Sequence, residues 1–139
     1  MSREEELRKK IIVALDVSSK EQALTLIRQL EGVEIFKVGL KLFTAEGPSL
    51  LKDIKMLGKK IFLDLKLHDI PNTVAEAVRA AVRHGIEMLT LHSSGGREMM
   101  ERASGSAAAE AEECGVDKPI LLAVTVLTSL RTEDLHDIG

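Results

Sequence analysis

From Ile61 to His68 the chain alternates strictly. Ile61, Leu63, Leu65 and Leu67 are all aliphatic, while Phe62, Asp64, Lys66 and His68 fall between them. A strand has a side-chain period of two, so the pattern assigns the first set to one face and the second to the other. Alternation alone describes any half-wet strand. The residues after it change the picture. Pro71 stands where a first helical turn accepts proline, Thr73 through His84 has helical spacing, and Gly85 is placed to end it. A strand feeding directly into a helix predicts a βα unit and hence a parallel sheet, and such sheets are covered by helices. Asp64 and Lys66 are therefore expected to point into an interior or a cleft.

The same unit recurs. Strand-like runs at residues 11–17, 34–40, 60–67, 86–92 and 120–127 are separated by helical spacing near 19–30, 48–57, 71–84 and 96–114. Ser18 or Ser19 can cap the first of these helices, Pro48 and Pro71 open the second and third, and Gly58, Gly85 and Gly115 sit just past helix ends. Residues 130–139 read as a loop and an incipient helix. Alternating βα units fit a doubly wound open sheet or a (β/α)₈ barrel. The first strand is followed by Ser18-Ser19-Lys20 and not by a glycine-rich phosphate loop. Polar residues instead gather at several strand ends: Asp16, Lys37, Lys41, Asp64, Lys66, Asp69, His92, Ser93, Thr125, Thr128 and Ser129. Contributions from many strands favour the barrel, of class α/β. Five strand signals in 139 residues are fewer than the eight a closed barrel needs. Residues 1–139 are therefore expected to be the N-terminal part of a single barrel domain.

An apolar content of 45% can fill a core, and a net charge of −3 leaves no basic footprint for nucleic acid or anionic membrane. No apolar run is long enough to span a bilayer, and the first ten residues lack a signal peptide's apolar centre. The expectation is a cytoplasmic protein that binds neither nucleic acid nor membrane. Cys114 is the one cysteine, so an internal disulfide is ruled out; at a helix end with no triad around it, it reads as packing and not as a nucleophile.

Charges inside a fold need partners. An isolated ammonium taken out of water loses its proton readily, by up to about 3–5 pKa units, whereas flanking carboxylates keep it charged. An acid–base site and a structural ion-pair network both satisfy that requirement. His84 reads as a helix C-terminal residue and His68 and His92 as supporting groups at strand ends. Asp64, His68, Asp69 and His92 are also a conceivable donor set for a divalent cation.

Five motifs, in order, resemble the orotidine 5′-phosphate decarboxylase family: Ile11-Ile12-Val13-Ala14-Leu15-Asp16; Phe36-Lys37-Val38-Gly39; Phe62-Leu63-Asp64-Leu65-Lys66-Leu67-His68-Asp69-Ile70-Pro71-Asn72-Thr73; Leu91-His92-Ser93-Ser94-Gly95-Gly96; and Val124-Thr125-Val126-Leu127-Thr128-Ser129. The most specific is Asp-x-Lys-x-x-Asp-Ile-Pro-x-Thr. The resemblance implies cofactor-free and metal-free loss of CO₂ from orotidine 5′-monophosphate to give uridine 5′-monophosphate, the last step of pyrimidine nucleotide synthesis. It implies Lys66 as the acid that protonates C6, Asp64 beside the departing carboxylate, and Lys37 between Asp64 and the ribose. Asp69, Ile70 and Thr73 would cross from a second subunit, making a homodimer with shared sites. Asp16 would hold a ribose hydroxyl, and Thr128, with Ser129, the pyrimidine. The family's phosphate-gripping segments would lie beyond Gly139. Two other readings remain: a metal-dependent sugar-phosphate decarboxylase or synthase of the same superfamily, and a non-catalytic half-barrel.

Overall fold

The computed structural model describes Met1–Gly139. Its strands are β1 (Ile12–Ala14), β2 (Ile35–Gly39), β3 (Lys60–Leu67), β4 (Met88–His92) and β5 (Ile120–Val124). Its helices are α1 (Arg3–Arg8), α2 (Lys20–Gln29), α3 (Leu40–Glu46), α4 (Ser49–Met56), α5 (Pro71–Val82), α6 (Arg97–Cys114) and α7 (Thr132–Ile138), with a 3₁₀ turn at Ser93–Gly95. All neighbouring strands are parallel, in the order β1-β2-β3-β4-β5. Parallel crossovers share one hand, so a sheet that never reverses its order collects its helices on one side. A doubly wound sheet would reverse. The winding is that of a (β/α)₈ barrel, carried here through five strands.

The core lies between the sheet and that layer of helices. Phe36 and Val38 of β2, Ile61 and Leu63 of β3, and Leu89 and Leu91 of β4 are buried with Ile27 of α2, Leu50 and Ile54 of α4, Val78 of α5 and Met99 of α6 in one continuous cluster. The other alternation of the same strands carries Lys37, Asp64 and Thr90. At the edges it leaves Ile12, Ile120 and Leu122 exposed. One face thus holds the fold together and the other is free to carry chemistry.

Local signals explain most boundaries. Ser19 accepts a hydrogen bond from the Gln22 amide at the start of α2, Pro71 occupies the first turn of α5, and Gly115 takes a left-handed conformation (φ 65°, ψ 35°) just past α6. β1 and β5 are shorter than their apolar runs suggest. Two helices depart from the expected elements. α1 has a complete capping box between Ser2 and Glu5 but buries nothing, so it lacks apolar periodicity. α3 begins at Leu40, the last residue of the expected second strand; Gly39 offers no capping side chain, and only Leu42 is buried. α5 and α6 are clamped by the buried Glu110, whose carboxylate accepts from Arg83 Nε at 2.5 Å and from Arg79 Nη1 at 3.3 Å. The Arg83 guanidinium foremost holds the Glu110 carboxyl below its ordinary range.

Phe36 is the largest fully buried side chain. Phe36→Ala is expected to lower unfolding free energy by about 3–5 kcal/mol, read from urea denaturation midpoints at constant slope. A loss under about 1 kcal/mol would mean that the sheet–helix layer is not the core.

Candidate active site

β3 does not follow the flat alternation predicted for it. Its register against β4 runs Phe62↔Met88 and Leu63↔Leu89, then jumps to Leu67↔Leu91. Asp64, Leu65 and Lys66 therefore stand opposite Thr90 alone. Lys66 takes φ 48°, the one non-glycine residue with positive φ. For a lysine that costs about 1–2 kcal/mol, and bulges of this kind re-aim side chains. The predicted face is corrected in its mechanism: Lys66 reaches Asp64 through a bulge and not through simple period-two geometry.

Asp64 is 7% exposed, and its carboxylate receives every donor nearby. Lys66 Nζ lies 3.0 Å from Oδ1 and 2.9 Å from Oδ2, and Lys37 Nζ, arriving from β2, lies 3.2 Å from Oδ2. The Thr90 hydroxyl donates to Oδ1 at 2.7 Å. Burial on its own pushes the Asp64 carboxyl up, but the bonds from Lys66, Thr90 and Lys37 outweigh it and hold the group below the ordinary carboxylate range. Two ammonium groups around one carboxylate leave the cluster with a surplus positive charge, which suits an anionic ligand.

Two clefts open from this cluster. One, of about 150 Å³, runs past Lys37, Asp64 and Lys66 to Asp16 and Lys41. The other, of about 570 Å³, runs from the same three residues past Phe62 and Thr90 to Thr128 and Ser129. The Ser93 hydroxyl donates to the Val124 carbonyl at 3.0 Å, tying the end of β4 to the end of β5, from which the loop of Thr128 departs. Asp16, Lys37, Asp64, Lys66 and Thr128 thus share one surface. Asp69, Ile70 and Thr73 do not join it. All three are exposed, and Asp69 Oδ1 accepts from the Ile70 amide at 2.6 Å.

Sequence reasoning missed Thr90. The signal was there, since Thr90 and His92 are the polar positions of an otherwise apolar β4. Lys41, read as a strand-end charge, lies on α3 and lines the smaller cleft. His68 and His92 stack obliquely with ring centroids 5.3 Å apart. Asp64, His68, Asp69 and His92 do not gather into a set of three or more metal-ligating side chains. Cys114 is exposed at the end of α6. Desolvation at its sulfur and the adjoining Glu110 carboxylate push its thiol up, away from nucleophilic use. No helix is long and apolar enough to cross a membrane.

Residues 9–139 match the family model described as "Orotidine 5'-phosphate decarboxylase / HUMPS family". Proteins named orotidine 5'-phosphate decarboxylase from Nostoc sp. and Carboxydothermus hydrogenoformans are 51% identical over 126 residues and 49% identical over 131 residues. These matches cover 91% and 94% of this chain but 53% and 54% of those proteins. The chain spans about half the length of the curated relatives it matches. A crystal structure of orotidine 5'-phosphate decarboxylase from Lactobacillus acidophilus superposes with a TM-score of 0.85 at 40% identity, covering 92% of this chain and 58% of that one.

Because the folded Asp64 carboxyl lies below its unfolded value, its contribution to stability is fully present above the ordinary carboxylate range and is lost as pH falls through the folded value. Asp64→Asn is expected to be less stable than the unaltered chain by about 1–2 kcal/mol at pH 7, toward the low end for bonds to charged groups because both lysines remain partly in water. The gap should narrow as pH is lowered from about 5 to about 2. Urea midpoints across that range read it, and a gap independent of pH would contradict the assignment.

Proposed function

The chain belongs to the orotidine 5′-phosphate decarboxylase / HUMPS family, and on that premise we propose that the protein decarboxylates orotidine 5′-monophosphate to uridine 5′-monophosphate in pyrimidine synthesis. The observation that carries this reading is the Asp64 carboxylate held between two ammonium groups, one of them on a strained bulge at the mouth of a parallel sheet. That is where catalytic residues sit in barrels wound this way.

The chemistry asks for such a cluster. Losing the carboxylate from C6 leaves an electron pair on a ring carbon with no adjacent carbonyl to delocalise it. An ammonium fixed beside C6 stabilises that charge as it forms, and then supplies the proton that replaces CO₂. Lys66 takes this role, with water restoring its proton. Asp64 faces the substrate carboxylate, and their repulsion is relieved as CO₂ departs. Lys37 links Asp64 to the ribose. Asp16, along the smaller cleft, binds a ribose hydroxyl; Thr128, with Ser129, along the larger one, holds the pyrimidine. No cofactor or metal takes part.

Asp69, Ile70 and Thr73 serve the site of a second subunit in a cytoplasmic homodimer. Their exposure, and their absence from both clefts of their own chain, support that assignment. The 139 residues form the N-terminal part of a single barrel domain, in keeping with five strands where eight would close it.

In the full-length enzyme, with the C-terminal half of the barrel present, decarboxylation is expected to persist in a chelator, measured as CO₂ release from orotidine 5′-monophosphate. Lys66→Ala should lower kcat by at least about 10²–10⁴-fold, the contribution of a positioned proton donor. Near-normal kcat in Lys66→Ala removes Lys66 from the mechanism, and metal-dependent turnover of a keto sugar phosphate replaces the reading outright.

Mixing inactive Lys66→Ala with inactive Asp69→Ala protein is expected to restore part of the activity, because a hybrid dimer rebuilds one complete site. Absence of rescue when subunit exchange is confirmed argues against a shared site.

A further inference from the structure

Thr90 occupies a position that the catalytic roles leave unused. It is 5% exposed, in the middle of β4, opposite the bulge in β3. Its hydroxyl makes two bonds of different kinds. As acceptor it takes the backbone N–H of Lys66 at 2.9 Å, and as donor it binds Asp64 Oδ1 at 2.7 Å. The first bond satisfies an amide that the bulge removes from the strand ladder, and a buried amide without a partner is costly. The second fixes the carboxylate oxygen that Lys66 Nζ also contacts.

We propose that Thr90 is a positioning residue for the decarboxylation, coupling the strained backbone of Lys66 to the orientation of the Asp64 carboxylate. This rests on the reaction assigned above. One hydroxyl closes a ring: the Lys66 amide, the Thr90 oxygen, the Asp64 carboxylate and the Lys66 ammonium. The ring gives the lysine a single backbone conformation, and it aims the carboxylate so that both ammonium groups bind its edge. The charged groups facing Asp64 are Lys37 from β2 and Lys66 from β3, with Asp16 and Lys41 farther along the smaller cleft. Thr90 is the neutral donor among them.

Thr90→Val keeps the shape and removes the hydroxyl; Thr90→Ser keeps the hydroxyl and removes the methyl. In Thr90→Val, kcat is expected to fall about tenfold to a hundredfold, the worth of one hydrogen bond to a charged group. KM should change much less, and the acid limb of the rate profile should move to higher pH as the carboxylate loses a donor. Thr90→Ser should restore kcat and the acid limb. Carboxyl-carbon NMR titration of Asp64, which needs no turnover, should show the same upward displacement in Thr90→Val and none in Thr90→Ser. Should circular dichroism find Thr90→Val unfolded, Thr90→Cys, whose thiol is a weak donor, takes its place with the same expected outcomes. An Asp64 titration unchanged by loss of the hydroxyl overturns the proposal, as does a Thr90→Ser protein as impaired as Thr90→Val. Failure of the unaltered full-length enzyme to release CO₂ counts against the reaction alone, and the NMR titration then decides the role of Thr90.

Discussion

The Asp64 carboxylate organises everything around it. Four bonds from three side chains reach it, and each side chain arrives by a different route: Lys37 from the neighbouring strand, Lys66 from the bulge of its own strand, Thr90 from the strand beyond. A buried carboxylate without such partners would take up a proton. The two lysines, without it, would repel each other across a few ångströms. Each member of the cluster is held by the others, and its net positive charge is a property of the whole.

The division of labour between the two faces of the sheet makes this possible. One alternation of the strands packs against α2, α4, α5 and α6 and supplies the hydrophobic stabilisation, while the other carries Lys37, Asp64 and Thr90. Charge and strain can then be concentrated on the second face without weakening the first. The helix layer adds its own stiffening. Glu110, 2% exposed, joins α5 to α6 through two arginines. It fixes the helix whose N-terminus comes immediately after Asp69 and Ile70.

Much of this was legible in the chain. Periodicity and helix punctuation located all five strands and the four large helices, because apolar spacing, Pro71 and Gly115 are local signals with local causes. α1 and α3 escaped because they bury little and so imprint no periodicity. At the site, Lys37, Asp64 and Lys66 were marked by charge in apolar surroundings. The bulge was not marked, since nothing in Asp64-Leu65-Lys66 announces a residue at positive φ. The amide of Lys66 in this conformation is met by the Thr90 hydroxyl, 24 positions away, and local pattern reading has no access to a partner at that distance. Thr90 itself is a common strand residue whose role emerges only with its neighbours in place.

The register jump in β3 also separates two kinds of evolutionary freedom. Three residues of β3 face one of β4, so the charges meet because the strand is longer than its neighbour at that point. Apolar replacements on the helix-facing side disturb packing by degrees. Loss of a single residue between Leu63 and Leu67 would instead leave two residues opposite Thr90 where three now stand and upset the placement of Asp64 and Lys66. The segment is therefore constrained in its length as well as its composition, since a change of length there would separate the charges that meet at Asp64.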